Sequence, residues 1–92
     1  MKIKISFLSQ LKRAAGTSCI AINADAGKTI QDILLNQVCP KLEGLSRTIL
    51  DEHGALHQVL LIFVEDEQID IKKPYIIKDS INITLMFPIA GG

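Results

Sequence analysis

The chain of 92 residues contains few aromatic side chains and no tryptophan, and its charges cancel. Ten Lys and Arg residues balance ten Asp and Glu residues, so no net positive field attracts the phosphates of a nucleic acid. Aromatic residues make up 4 % of the chain, which leaves no series of rings on which bases would stack. The composition therefore disfavours nucleic-acid binding.

Long apolar segments are missing as well. The longest uncharged apolar run, residues 59–64, is far shorter than the roughly 20 residues that cross a bilayer. The first six residues alternate between polar and apolar types, unlike the apolar core of a signal peptide. Both features predict a cytoplasmic protein that does not associate with membranes.

Residues that commonly hold metals are scarce. Cys19 and Cys39 show neither a Cys-x-x-Cys motif nor zinc-ligand spacing, so we expect both to be reduced packing residues. His53 and His57 are four residues apart, which on a helix would suit a metal, but Gly54 and an approaching strand argue against a helix there. The sequence predicts no metal site.

Aliphatic residues, by contrast, are abundant and periodic. Apolar residues make up 48 % of the chain, enough for one core and one domain, which we place at residues 1–87. Alternation predicts a first strand over residues 2–8, then a helical turn or loop at 11–17 and a second strand at 18–23, paired antiparallel with the first.

Helical spacing follows. Thr29 has the character of a helix N-cap, and apolar residues from Ile30 to Val38 recur on one face, which predicts a main helix that Pro40 ends. A second, shorter helix is expected up to about Asp51.

The last third of the chain reads as strands. Residues 59–64 are apolar on both pleat faces, which predicts a central strand covered on two sides. A solvated turn at 65–68, a short edge strand near 69–71 and a final strand at 81–87 follow. These elements predict an α+β roll: a mixed sheet of four to five strands, with one main helix across it and a short second helix.

Beyond the final strand lies a five-residue segment, 88–92, which we expect to be a flexible tail. Pro88 lacks an amide for a sheet ladder and biases Phe87 toward extended geometry, so the sheet should stop there. An extended segment of this length reaches roughly 17 Å. Its side chains become smaller along the chain, in the order Ile89, Ala90, Gly91, Gly92. The two glycines have no Cβ atom and would fit a narrow channel.

Several of these segments match a known family. Residues 59–69, the Lys78-Asp79 turn, residues 86–92 and, more weakly, residues 7–17 resemble the sulfur carriers of the β-grasp, or ubiquitin-like, fold. That family includes the small subunit of molybdopterin synthase and the carriers of thiazole and amino-acid sulfur. The chain departs from it at three dipeptides: Glu65-Asp66, Ser80-Ile81 and Phe87-Pro88.

The resemblance implies a carrier that is a cosubstrate and has no catalytic activity of its own. An adenylating enzyme of the ubiquitin-activating type would use ATP to activate the Gly92 carboxylate, which then becomes a thiocarboxylate. A synthase would accept the sulfur, and the carrier would hold no permanent cofactor. The resemblance places the reacting group at Gly91 and Gly92, and the partner contacts at Phe87, Pro88, Ile89 and Ala90.

Several readings remain open at this point. The sulfur would serve cysteine or homocysteine synthesis or the molybdenum cofactor, and less readily thiazole; in the second case the chain is the small subunit of a sulfurtransferase complex. Alternatively, Gly92 is conjugated to target lysines as in a ubiquitin-like modifier, or the tail is inert and the domain is an interaction module. We expect a monomer or a heteromer with its partner.

Overall fold

The computed structural model describes residues 1–88, in which short helices lie on one face of a single mixed sheet. The sheet order is β2-β1-β5-β3-β4, with β1 and β5 parallel and the other neighbours antiparallel. This confirms the predicted mixed sheet. The elements are β1 (Lys2–Phe7), α1 (Gln10–Ala15), β2 (Cys19–Asn23), α2 (Ile30–Ile33) with a π-helical turn (Leu34–Val38), α3 (Glu43–Ile49), β3 (Leu61–Val64), β4 (Glu67–Ile69) and β5 (Asn82–Met86).

The first two strands form because alternate residues face the core. Ile3, Ile5 and Phe7 are at most 1 % exposed, whereas Lys2 and Lys4 face solvent. β1 pairs antiparallel with β2, as predicted. The connection between them, expected to be a helical turn or loop, is the short helix α1, which ends at Gly16 in the left-handed conformation that glycine adopts without strain.

The main helix starts where the sequence predicts. The Thr29 hydroxyl accepts a hydrogen bond from the Asp32 amide at 3.0 Å, which satisfies one of the free amides of the first turn. Its last turn is wider than an α-helix, because the Cys39 amide donates to the Leu34 carbonyl five residues earlier. Four residues of the predicted stripe are buried: Ile30, Ile33, Leu34 and Val38.

The segment 59–64 corrects the sequence analysis. Its strand begins only at Leu61, and Val59 is 51 % exposed. Leu61 and Phe63 are half-buried on the outer face, the side of the sheet away from the helices, so the expected cover on two sides is wrong. Within the described residues, helices cover the other face only. β3 is an inner strand because it pairs with β5 and β4, but no second layer covers its outer face there.

The solvated turn is also shorter than expected. Glu65 and Asp66 make the turn, whereas Glu67 and Gln68 already pair with Val64 and Phe63 as part of β4. Glu65 adopts the left-handed region, φ 55°, which is uncommon for a residue other than glycine. Two residues thus suffice for the hairpin.

The loop between β4 and β5 is held to the main helix by one side chain. The Gln31 Nε2 group donates to the carbonyls of Ile71 and Lys73, at 3.2 and 2.9 Å. The Gln31 Oε1 atom accepts from the Tyr75 amide at 3.3 Å. Among residues 1–88 no helix has the length and hydropathy needed to cross a membrane.

Helices α1 and α3 approach each other closely at Gly44. A Cβ atom on Gly44 would lie 2.5 Å from the carbonyl oxygen of Ala14, a distance that real Cβ atoms do not show. We therefore expect Gly44→Ala to lower the free energy of unfolding by about 1 to 3 kcal/mol, because the two backbones must move apart. Urea denaturation monitored by circular dichroism measures this change.

Arg47→Ala on the same helix is the matched control. Arg47 is exposed and makes only a surface ion pair with Glu43, so its loss should change stability by about 0.5 kcal/mol or less. Equal stability of Gly44→Ala and Arg47→Ala would contradict the close packing of α1 on α3.

Candidate functional site

The tail begins in the middle of the sheet. β5 lies between β1 and β3, and its last residue, Met86, pairs with Leu61. On the other side, the Leu8 amide donates to the Leu85 carbonyl at 3.1 Å. The chain therefore leaves the sheet at the end of an inner strand that two neighbours hold in register.

The last two residues that the structure describes, Phe87 and Pro88, form the tail base and differ in burial. Phe87 is half-buried and packs against the core, with its ring edge to face against His57, centroids 6.1 Å apart and planes at 76°. Pro88 is exposed. Phe87, expected to contact a partner, is thus also held by contacts within the domain. The other residues expected at the site lie outside the described residues: Ile89, Ala90, Gly91 and Gly92.

The chain segments next to the tail base carry apolar side chains at the surface. Leu8, at the end of β1, is 43 % exposed, and Val59, before β3, is 51 % exposed. Leu61 and Met86, paired across β3 and β5, are half-buried on the outer face. We call Leu8, Val59, Leu61 and Met86 the collar. Sequence reasoning missed Leu8 and Val59, for which the only signal was an apolar residue continuing past a strand end.

The rest of the outer face is more polar. One register row crosses all five strands with uncharged side chains and one aromatic ring: Cys19, Ser6, Thr84, Phe63 and Gln68. The end farthest from the tail carries an open groove of about 690 Å³ bordered by charged residues, Lys2, Lys4 and Glu65 among them. The groove is also lined by Ile20, Ala21 and Ile81, so the two ends of this face differ in charge: charged side chains lie far from the tail base, and the collar has none.

The start of β5 is fixed by Glu65. The Glu65 amide donates to the Asn82 carbonyl at 2.8 Å, and a Glu65 carboxylate oxygen accepts from the Asn82 amide at 2.9 Å. The two bonds hold the left-handed residue in place. They also set the register of β5 at the end opposite the tail, which is where this turn departs from the family pattern.

The loop that carries His57 is organised by Asp51. One Asp51 carboxylate oxygen accepts from the amides of His53 and Ala55, at 2.8 and 3.0 Å. These bonds, that from Ala55 first, lower the pKa of Asp51 below its ordinary value of 3.8. The His57 amide in turn donates to the Ile49 carbonyl at 2.8 Å, which positions the imidazole beside Phe87.

The remaining candidates do not join the site. Within residues 1–88 no three His, Cys, Asp or Glu side chains converge as metal ligands. Cys39 is 6 % exposed, and burial raises the pKa of its thiol, so it is a packing residue. Cys19 is half-buried on the outer face. Lys72, Lys73 and Lys78, which could dock an acidic partner surface or simply face solvent, are exposed in the loop before β5.

Solved structures share this architecture over the whole chain. SAMP1 of Haloferax volcanii superposes with a TM-score of 0.87 at 16 % identity, covering 100 % of both chains. A Pyrococcus furiosus protein described as subunit 1 of a molybdopterin converting factor gives 0.69 at 17 % identity, covering 97 % of this chain and 99 % of that one. A chain of the Amycolatopsis orientalis BexX/CysO complex gives 0.69 at 21 %, covering 98 % and 99 %.

These likenesses establish the fold. No protein-family model matches the sequence, and no curated protein matches it either. The structural neighbours are β-grasp proteins of the sulfur-carrier and ubiquitin-like kinds, so the predicted β-grasp roll is confirmed. At identities below 25 %, the function itself does not follow from the superpositions.

The Asp51 loop makes a pH-dependent contribution to the geometry near the tail base. Because the folded state lowers the pKa of Asp51, its carboxylate stabilises the loop above pH 3.8, and this contribution disappears as the pH falls through the folded value. We expect a carboxyl NMR titration to place the pKa of Asp51 below 3.8. Over the same interval, the amides of His53 and Ala55 should exchange faster with solvent.

Asp51→Ala should produce the same fast exchange at neutral pH. Glu52→Ala, a neighbouring change to a residue whose carboxylate accepts neither amide, should leave the exchange of both amides unaltered. A titration midpoint at or above 3.8 would contradict the proposed role of Asp51.

Proposed function

We propose that this protein is a sulfur carrier whose Gly92 carboxylate is converted to a thiocarboxylate by a partner enzyme. The observation that carries the proposal is the tail base: an inner strand followed by a proline, anchored by Phe87, with the apolar collar beside it and a Gly-Gly sequence two residues further along the chain. A fixed tail base, followed by side chains that decrease in size to two glycines, suits delivery of a carboxylate into another protein's active site.

The chemistry needs two displacements. An oxygen of the Gly92 carboxylate attacks the α-phosphorus of ATP and releases pyrophosphate, which gives an acyl-adenylate with a good leaving group. Sulfide then attacks the carbonyl carbon and expels AMP, leaving the thiocarboxylate. If a persulfide is the donor, an acyl disulfide forms, and a thiol must reduce it. The domain contributes position and docking, and the partner contributes the catalytic groups.

The collar is the docking surface in this proposal. Its four side chains are apolar, two of them more than two-fifths exposed, and exposed apolar clusters of this kind are typical of protein-binding sites. A partner that covers the collar also receives the tail, because the tail base lies among the collar residues. Binding and delivery are thus coupled by geometry alone.

Neighbours of this fold suggest the pathway in which the sulfur is used. One is a chain of a BexX/CysO complex, and another is described as a molybdopterin converting factor subunit. We infer that the acceptor is a synthase for an amino acid or for the molybdenum cofactor, with thiazole synthesis as the weaker option. Assembly with such a synthase would make the chain a small subunit of a sulfurtransferase.

A second candidate function is conjugation to other proteins. It is favoured by the likeness to SAMP1, a small archaeal modifier protein. The same acyl-adenylate would then be attacked by a lysine amine, forming an isopeptide bond instead of a thiocarboxylate. Both functions use one activated intermediate, so the nucleophile decides between them.

Intact mass spectrometry tests the proposed thiocarboxylate. Incubation with a cognate adenylating enzyme, ATP and sulfide should raise the protein mass by about 16 Da, since sulfur replaces oxygen on the carbonyl carbon. Fragmentation should confine the increase to the last peptide. The same measurement shows whether the carboxylate of Gly92 is free, as the proposal requires.

Deletion of Gly92 should abolish the increase and leave the fold intact. No mass change in the complete reaction, with the enzyme shown to be active on another carrier, would overturn the proposal. High-mass conjugates in cells that disappear on deletion of Gly91 and Gly92, without any thiocarboxylate, would favour the modifier function.

The collar gives a second prediction. Leu8→Asp combined with Val59→Asp should reduce kcat/KM for activation at least about tenfold, because each charge replaces a large apolar contact in the interface. ATP–pyrophosphate exchange measures activation. Both side chains are exposed and outside the strands, so the fold should persist.

Ile76→Asp is the matched control. Ile76 is 54 % exposed and lies in the loop before β5, away from the collar, so the same substitution there should leave activation within about twofold of the wild-type value. An equal loss for the control and for the double variant would contradict docking through the collar.

A further inference from the structure

The two edges of the sheet differ in how they are protected. β2 forms one edge, and residues 17–24 contain neither a charged residue nor a proline. β4 forms the other edge with only three residues, one of them Glu67, between Asp66 and Asp70. Charges, prolines and short length are what proteins use to prevent pairing of an edge strand, and β2 has none of them.

The hydrogen bonds of β2 show which backbone groups point away from the sheet. Ser18 accepts from the Phe7 amide and Ala24 donates to the Met1 carbonyl, both at 2.9 Å, so residues of even number bond to β1. The odd-numbered residues Cys19, Ala21 and Asn23 therefore direct their amides and carbonyls outwards. The Cys19 carbonyl there accepts from the Thr17 hydroxyl at 3.1 Å, a contact within the chain that a paired strand would share or displace. Within residues 1–88 no strand pairs with them on that side.

We propose that this edge binds a second copy of the chain, with the two β2 strands antiparallel and Ala21 opposite Ala21. In this register each outward residue meets another outward residue, since Cys19 lies opposite Asn23 of the second copy. On the core side, the half-buried Ile20 lies opposite Ile22 of that copy. The strand is thus complementary to itself in hydrogen bonding and in polarity.

The lack of charge on β2 also favours a second copy of the chain as its partner. β2 has no charge to repel its own copy, and the nearest lysine in register with Ala21 is Lys4 on β1. Lys4 and its symmetry mate are three strand spacings apart, about 14 Å, which is beyond the Debye length of about 8 Å at physiological salt. A charged partner segment would gain nothing at this neutral edge.

The arrangement leaves the tail base free. The two-fold axis of an antiparallel pair is perpendicular to the sheet, so both outer faces lie on the same side and the two tail bases lie at opposite ends of the pair. The collar is on β3 and β5 and near the end of β1, outside the β2 edge. Self-association is therefore independent of the proposed carrier function, and either is testable without the other.

Introducing a charge at the two-fold axis tests the register. Ala21 is exposed, so Ala21→Lys and Ala21→Glu should both fold, and each should be monomeric because two like charges lie directly opposite each other. An equimolar mixture of the two variants should associate again, at least as well as the wild type. Sedimentation velocity up to about 1 mM measures this, since a five-residue edge buries less surface than a standard interface.

Ala26→Lys and Ala26→Glu, at an exposed loop alanine, are the matched controls and should self-associate as the wild type does. In concentrated protein, the amides of Cys19, Ala21 and Asn23 should exchange more slowly than in dilute protein, whereas those of Ile20 and Ile22 should not change. A monomeric wild type at 1 mM, or a mixture that fails to associate, would overturn the proposal.

Discussion

The position of β5 is the constraint on which the rest of the structure depends. This strand comes late in the chain yet occupies the centre of the sheet, parallel to β1 and antiparallel to β3. Ile83 and Leu85 are fully buried, and a slip of one residue would turn both to the outer face. The core therefore fixes the register of β5, and with it the point at which Phe87 and the tail emerge between two neighbouring strands.

Local chemistry made most of the fold predictable from the sequence. Three local patterns predicted geometry that the structure has. They are the alternation around Ile5, the N-cap at Thr29 and the helical spacing of buried residues up to Val38. The sequence failed at residues 59–64, where apolar side chains on a solvent-facing surface look like those of a covered strand. An exposed apolar strand face and one that a second layer covers have the same composition. The periodicity of apolar residues therefore does not distinguish the two.

The site was predictable only in part, for a topological reason. Pro88 and the glycines after it are visible in the sequence, but Leu8 and Val59 are some fifty residues apart, and the pairing of β1 and β3 with β5 brings their segments to the two sides of the tail base. The contact between His57 and Phe87 likewise depends on a loop whose backbone amides donate to the Asp51 carboxylate. Relations of this kind exist only after the sheet has formed.

The Gln31 amide has a consequence for how the surface can change over time. It holds the loop before β5 through main-chain atoms of Ile71, Lys73 and Tyr75, so these hydrogen bonds do not depend on the side chains at the exposed positions of the loop. The exposed residues of such a segment can change in evolution, or be mutated in the laboratory, while these hydrogen bonds are kept. The loop is therefore a suitable place for sequence variation, at the end of β5 opposite the tail base.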